Sequence, residues 1–147
     1  MATQGEKIRA PRNRTLTLDN NEAAEYRGRL LKLTGPAEIS TIANRTVHQD
    51  LLEVLEWLPT SFADLIFLDP PYNLSKSFNG NDFKELSLAD YRRWFESWFS
   101  RLLATLKPNG SVYICGDWRS STAIHEVAER HLHVRNRITW EREKGRG

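Results

Sequence analysis

Cysteine is nearly absent from this chain of 147 residues, which contains only Cys115. A single cysteine excludes an internal disulfide framework, and the four histidines show no metal-binding spacing with cysteine or carboxylates. No apolar run approaches the roughly 18 residues that span a bilayer, and residues 1–14 have no apolar signal-peptide core. These absences predict a soluble cytoplasmic protein that binds no metal and does not associate with a membrane.

The chain also lacks a large excess of either sign of charge, because its formal net charge is only +2. The exception is the segment from Arg135 onward, which holds five basic residues against two acidic ones. Such a segment is either a solvated tail or the beginning of a surface that contacts phosphates. Composition alone leaves both readings open.

Aromatic residues are plentiful, with five tryptophans and six phenylalanines. A chain of this length and composition can bury one core, so one folded domain is expected. Residues 1–19 carry Gly5, Pro11 and scattered arginines without periodicity, and they predict a flexible N-terminal arm. The folded part is therefore expected over residues 20–147.

Helical and strand patterns alternate along that part. A helix from Glu22 to about Leu31 is expected to begin at an Asn20 or Asn21 cap, and Gly35-Pro36 breaks the chain after it. The remaining predicted elements are a strand over Arg45–Gln49, a helix over Leu51–Leu58, strands at Asp64–Asp69 and Ser111–Cys115, a helix over Ser120–His131 and a last strand over Val134–Trp140. Alternation of this kind predicts an α/β fold with a parallel sheet flanked by helices.

The most regular helix is predicted between Ser87, as the N-cap, and Leu106. Its apolar residues recur at steps of three and four, including a stripe of Trp94, Phe95, Trp98 and Phe99. This aromatic stripe is expected to be either core or a subunit interface.

The apolar run Asp64–Asp69 is typical of a strand buried on both faces of a covered sheet. It leads directly into Asp69-Pro70-Pro71-Tyr72, called the DPPY motif below, and two prolines cannot continue a central strand. Ligands of open α/β sheets bind beyond the carboxyl ends of strands. The DPPY motif and the Gly116-Asp117-Trp118 segment are both predicted to lie at such ends.

The residues of the DPPY motif suit a particular reaction. An amino group on an aromatic base is a poor nucleophile, because its lone pair is delocalised into the ring. A carboxylate such as Asp69 and a fixed carbonyl such as that of Pro70 can accept hydrogen bonds from the amine and orient its lone pair. Tyr72 offers a face for stacking the base, worth about 1–3 kcal/mol in comparable contacts. A base must leave the duplex to reach such a pocket.

Three segments of the chain resemble the amino-methylating DNA methyltransferases of the permuted class, in which the catalytic motif precedes the glycine motif. Residues 45–55 resemble the segment that leads into the catalytic strand, residues 64–74 the catalytic stretch, and residues 106–114 a helix end with the next strand. The resemblance covers about residues 44–144. It implies a Rossmann-like S-adenosylmethionine methyltransferase fold with a partial parallel sheet.

The resemblance gives roles to matching positions. It implies that Asp69, Pro70, Pro71 and Tyr72 handle the target amine and base, and that Asp50 and Asp69 contact the cofactor S-adenosylmethionine. The family commonly has a glycine before that acid, where this chain has Gln49. Asp50 is alternatively a plain N-cap of the helix that follows it.

The implied partner is double-stranded DNA, and the family's dimers leave a homodimer open. Adenine is the expected target, because the motif variant that begins with serine is the one associated with cytosine. Cys115 is not preceded by proline, so the chain lacks the nucleophile signature of enzymes that methylate the ring carbon of cytosine.

The family's glycine motif, Phe-x-Gly-x-Gly, is absent, and Gly145-Arg146-Gly147 does not replace it because no buried strand precedes it. Residues 20–147 are therefore expected to be the N-terminal catalytic part of a methyltransferase domain, in a longer enzyme or a truncated gene product. The alternatives are an inactive remnant that binds DNA or a partner subunit, and a methyltransferase that acts on RNA or on a protein glutamine.

Overall fold

The computed structural model describes residues 17–78 and 81–140, with the backbone alone for 76–78 and 81–83. Most of the arm predicted over residues 1–19 and the last seven residues lie outside this description. The elements, in chain order, are α1 (Asn20–Gly28), α2 (Ile39–Ile42), α3 (Leu51–Val54), β1 (Ala63–Leu68), β2 (Lys76–Phe78), β3 (Asn81–Phe83), α4 (Leu88–Leu102), β4 (Leu106–Ile114) and α5 (Ser121–His131). Short 3₁₀ turns follow α3 and α4.

Helix α1 begins at Asn20, two residues before the predicted Glu22. Asp19 is its N-cap, accepting hydrogen bonds from the backbone N–H groups of Asn21 and Glu22 at 2.7 and 2.8 Å. The Glu22 carboxylate accepts in return from the Asp19 N–H at 2.9 Å, which completes a capping box. The predicted cap at Asn20 or Asn21 is therefore wrong, because only Asp19 has a partner three residues later that can close this box.

The segment after α1 leaves the helix to pair with a later segment. Leu31 forms a parallel bridge with Val47, and the Gln49 side chain extends it by accepting from the Leu33 N–H at 2.5 Å and donating to the Leu33 carbonyl at 3.0 Å. Both the helix predicted as far as Leu31 and the strand predicted over Arg45–Gln49 are thereby corrected. A side-chain amide replaces the backbone ladder that a longer strand would have formed.

Strands β1 and β4 form a parallel pair, which confirms the predicted α/β class with a partial parallel sheet. Ile66 faces Val112 and Leu68 faces Ile114 in this register. Strand β4 begins at Leu106 rather than at the predicted Ser111. The register shifts between Ala63, which pairs with Leu106, and Leu65, which pairs with Ser111. Strands β2 and β3 form a separate antiparallel pair.

One face of the β1–β4 sheet carries the core. Helices α4 and α5 supply the most deeply buried side chains, including Phe95, Phe99 and Val127, each 0% exposed. Phe95 stacks on Phe99 at 4.9 Å between ring centroids and meets Trp98 edge-on at 4.8 Å. The aromatic stripe is thus core at these three positions, while Trp94 is only partly buried against it.

The other face of the sheet is not covered. Leu65, Phe67 and Tyr113 are 56%, 67% and 51% exposed. The prediction that β1 is buried on both faces is therefore wrong for this chain, because no element of the described ranges packs on that side. Side chains alternate across a strand, so the same run that fills the core also presents large apolar groups to solvent.

Two further predictions concern the C-terminal part. The helix expected over Ser120–His131 is confirmed as α5. The strand expected over Val134–Trp140 is wrong: this stretch is irregular, and Ile138 and Trp140 are 76% and 89% exposed. No described strand lies beside it to accept its backbone hydrogen bonds. Among the described helices, none has the length and apolar character to cross a bilayer.

Candidate active site

The carboxyl ends of β1 and β4 lie side by side. The N–H of Cys115, the residue after β4, donates to the carbonyl of Leu68, the last residue of β1, at 2.8 Å. The DPPY motif and the Gly116-Asp117-Trp118 segment therefore both leave the sheet at the carboxyl ends of its strands, as the sequence predicted. The core aromatic residues lie on one face of this sheet, and the candidate site lies beyond its end.

The DPPY motif turns away from the sheet directly after Leu68. Asp69 is exposed, Pro70 is buried, and Pro71 and Tyr72 are exposed, Tyr72 by 43%. Within residues 17–78 and 81–140 no hydrogen bond or ion pair reaches the Asp69 carboxylate. The fold does not use this carboxylate, which is therefore available to a ligand.

Tyr91 of α4 anchors the motif from below. Its hydroxyl donates to the Pro71 carbonyl at 3.3 Å, and the residue is only 2% exposed. Burial raises the pKa of Tyr91 to about 12, and the Asp117 carboxylate adds to this while a Ser120 hydrogen bond opposes it. The phenol stays protonated and a donor at neutral pH. Nothing in the sequence signalled this contact.

Asn73, the residue after the motif, is a second anchor that the sequence did not reveal. It is 6% exposed; its Nδ2 donates to the Leu86 carbonyl at 2.9 Å, and its Oδ1 accepts from the Leu86 N–H at 2.8 Å. The Glu85 N–H also donates to the Ser75 hydroxyl at 3.0 Å. These hydrogen bonds join the segment between the motif and β2 to the segment between β3 and α4.

Asp117, after β4, holds its own turn. Its Oδ1 accepts from the Arg119 and Ser120 N–H groups at 2.7 and 3.1 Å, and its Oδ2 accepts from the Ser120 hydroxyl at 2.7 Å. Partial burial acts to raise the pKa of Asp117, but these hydrogen bonds outweigh it, so the pKa is lowered. Asp117 is thus a structural carboxylate, in contrast to Asp69.

Asp50 caps α3, accepting from the Leu52 N–H at 2.8 Å through Oδ1. The capping interpretation is therefore confirmed, and the cofactor role stays a prediction. The two are compatible, because Asp50 is exposed and the described residues make no hydrogen bond to Oδ2. No hydrogen bond or ion pair joins Asp50 to the DPPY motif across the described ranges. The remaining oxygen, Oδ2, suits a hydrogen bond from one polar group of a nucleoside. Besides Asp69, the described residues provide no further group that we assign to a cofactor pocket.

No group of three or more histidine, cysteine, aspartate or glutamate side chains suited to a metal ion occurs in the described part of the chain. His125 and His131 are exposed, and they contact the carboxylates of Glu129 and Glu96 respectively. Cys115 is partly buried beside the sheet end.

Comparison with known proteins gives consistent similarities. A family model described as DNA methylase matches residues 63–147. The Type II methyltransferase M.BamHI of Bacillus amyloliquefaciens is 33% identical over 99 residues, which are 67% of this chain and 23% of that protein. The DNA adenine methyltransferase YhdJ of Escherichia coli is 31% identical over 109 residues, covering 71% of this chain and 35% of that protein.

The Type II methyltransferase M.HpaI of Haemophilus parainfluenzae is 30% identical over 105 residues, covering 70% of this chain and 33% of that protein. The chain thus spans between a quarter and about a third of the length of these curated relatives. No solved structure matches it significantly.

Proposed function

The chain belongs to the DNA methylase family, and from this premise we propose that it transfers a methyl group from S-adenosylmethionine to the exocyclic amino group of a flipped DNA base. The observation that carries the proposal is the Asp69 carboxylate, which stands at the carboxyl end of β1, is exposed and has no protein partner among the described residues. The Asp117 carboxylate at the end of the adjacent strand, by contrast, is occupied by hydrogen bonds from its own turn. An exposed carboxylate beside a fixed proline carbonyl is ready to accept from an incoming amine.

The reaction uses positioning more than strong acid or base chemistry. Asp69 accepts a hydrogen bond from one N–H of the target amine, and the Pro70 carbonyl accepts from the other. The amine lone pair is then turned out of the ring plane, and Asp69 is placed to take the proton that the nitrogen loses. S-adenosylmethionine, when bound, would supply an electrophilic methyl group from its sulfonium and leave as the thioether S-adenosylhomocysteine. Tyr72 offers the face on which the base stacks.

The motif must be held rigidly for this geometry to help. Tyr91 fixes the Pro71 carbonyl, and Asn73 fixes the chain one residue beyond Tyr72. The motif is therefore held between β1 on one side and two buried polar contacts on the other. Asp50 and Asp69 are the residues of this chain assigned to the cofactor, Asp50 through the oxygen that its cap does not use.

Adenine is the proposed target, and a double-stranded DNA that extrudes one base is the proposed partner. The printed name of the Escherichia coli relative specifies adenine, which supports this choice. The Type II names of the other relatives support a role in restriction-modification. We propose a cytoplasmic location for the protein. A homodimer is compatible with the family.

The test is Asp69→Ala in the natural polypeptide that contains residues 1–147. Transfer of labelled methyl from S-adenosylmethionine to DNA is expected to fall by about a hundredfold or more. Folding is expected to be retained, because the described residues make no contact with the carboxylate that is removed. RNA and protein substrates, assayed in parallel, report on the other two acceptor classes.

Asp64→Ala is the matched control. Asp64 lies near the opposite end of β1, its side chain is 81% exposed, and it pairs only with Lys107 at 2.8 Å. Its loss is expected to leave transfer unchanged. Near-normal turnover in Asp69→Ala would remove Asp69 from the mechanism, and acceptance of methyl by RNA or protein but not by DNA would replace the proposed substrate.

A further inference from the structure

An open cleft lies beside the DPPY motif, between the chain before α4 and the turn after β4. Its walls include Asn73, Leu86, Trp118, Arg119, Thr122 and Arg137. Asn73 follows Tyr72 directly, so the cleft adjoins the place proposed for the target base. Neither the mechanism above nor any similarity to other proteins gives this cleft a role.

Trp118 is the unusual residue of the cleft. Its side chain is 75% exposed, although tryptophan is one of the largest apolar groups. The backbone beneath it is fixed, because the Ser121 hydroxyl donates to the Trp118 carbonyl at 2.8 Å and the Ser121 N–H donates to the Asp117 carbonyl at 3.1 Å. The turn therefore presents a broad aromatic face at a defined position.

Cations accompany this aromatic face. The Arg119 guanidinium lies over the Trp118 ring at 5.4 Å from its centroid, and it forms an ion pair at 3.7 Å with Glu85, which also lines the cleft. Arg137 lines the same cleft and has no ion pair within the described ranges. Asp117 is not among the residues that line the cleft.

An exposed aromatic face with adjacent guanidinium groups matches the two parts of a nucleotide, a base that stacks and a phosphate that is anionic. Extruding one base leaves its neighbours without a stacking partner on one side. A protein side chain beside the extruded base can restore that stacking. Arginine suits such a site better than lysine, because its planar guanidinium group both stacks on rings and binds phosphate.

We propose that this cleft binds the nucleotide next to the extruded base, with Trp118 stacked on that neighbouring base and Arg119 and Arg137 in contact with its phosphates. The placement rests on the proposed function, because Asp69 defines where the extruded base lies. The nucleotide contact itself can be measured without methyl transfer.

The experiment is direct binding of a fluorescently labelled single-stranded DNA oligonucleotide to the natural polypeptide, without cofactor, followed by anisotropy. Trp118→Ala is expected to weaken binding roughly fivefold or more, the range for loss of one base–aromatic stack. Trp118→Phe is expected to retain most of the affinity. Arg137→Ala is expected to reduce the slope of log affinity against log salt by about 1, as loss of one phosphate contact does.

Helix α1 offers a matched control. Tyr26 is 48% exposed and carries Arg29 over its ring at 5.3 Å from the centroid, so it repeats the same chemistry on another element. Tyr26→Ala and Arg29→Ala are expected to bind the oligonucleotide as the unaltered protein does. Equal losses at Tyr26 and Trp118 would mean that any exposed aromatic group contributes, and would overturn the proposal.

Other results separate the cleft from the proposed function. Unaltered affinity in Trp118→Ala, with methyl transfer intact, would overturn the proposal that the cleft binds a nucleotide and would leave the proposed methyl transfer unaffected. Binding that depends on Trp118, in a protein that transfers no methyl group to DNA, would support the cleft and remove the function. A fall in melting temperature in Trp118→Ala as large as that of a core variant would show that the ring packs on protein, and would overturn the cleft.

Discussion

Asp69 and Asp117 end adjacent strands of the same sheet and have opposite surroundings. Asp117 accepts three hydrogen bonds from its own turn, which lower its pKa. Asp69 receives none from the described residues and is exposed. Among the described residues, Asp117 therefore holds its own turn, and Asp69 has no such structural role. The sequence pointed to Asp69 because the DPPY motif combines a carboxylate, a fixed carbonyl and an aromatic face, and it could not tell what Asp117 contacts.

Tyr91 links the two turns, since its hydroxyl donates to the Pro71 carbonyl and the negative charge of Asp117 helps to raise its pKa. Its pKa of about 12 lies above the ordinary value of 10.0, so the unfolded state loses this proton first as pH rises. Stability from this group is fully present below about pH 10 and is lost as pH rises towards about pH 12.

Tyr91→Phe tests this link. At neutral pH the variant is expected to be about 1 kcal/mol less stable, because the Pro71 carbonyl loses its donor. The stability gap between the two proteins is expected to shrink as the pH of urea unfolding is raised from about 9 to about 11. The remaining tyrosines titrate in both proteins and cancel in the difference. A gap that stays constant over this range would show that the Tyr91 hydroxyl is not held as described.

At the scale of elements, local signals predicted what local chemistry determines. Helix α4 was found from its periodicity and from Ser87, and β1 ends at Leu68 because Pro70 and Pro71 donate no ladder hydrogen bonds. The predicted strand over Val134–Trp140 failed because its alternation is real but no described strand pairs with it. A strand depends on a distant partner, and its own residues do not report whether that partner is present.

Ser87→Ala tests the cap of α4. The Ser87 hydroxyl accepts from the Asp90 N–H at 3.1 Å at the first turn. Its loss is expected to cost about 1 kcal/mol of unfolding free energy, measured by urea titration. Ser97→Ala is the control, since Ser97 lies within the same helix and its hydroxyl donates only to the Trp94 carbonyl. Equal effects at the two serines would contradict a specific capping role.

At the scale of the whole molecule, the β1–β4 sheet has a filled face and an uncovered one. Phe95 is fully buried on the filled side, while Phe67 of β1 is 67% exposed on the other. Parallel sheets are normally covered on both faces. The uncovered face is consistent with a chain that spans only a quarter to about a third of the length of its relatives.

Two phenylalanine substitutions measure this difference in the chain of residues 1–147. Phe95→Ala is expected to cost about 3–5 kcal/mol of unfolding free energy, as for a fully packed core aromatic. Phe67→Ala is expected to cost less than about 1 kcal/mol, because its ring is mostly in solvent. Comparable costs at both positions would show that the outer face of the sheet is covered.

The most direct test of the account is to identify the methylated nucleoside. DNA is incubated with isotope-labelled S-adenosylmethionine and the natural polypeptide that contains residues 1–147, then digested to nucleosides and analysed by mass spectrometry. The account predicts labelled N6-methyl-2′-deoxyadenosine, and its loss in Asp69→Ala. A label on the ring carbon of cytosine, or a label that enters RNA or protein but no DNA base, would contradict the claim that the DPPY motif presents an exocyclic DNA amine for methylation.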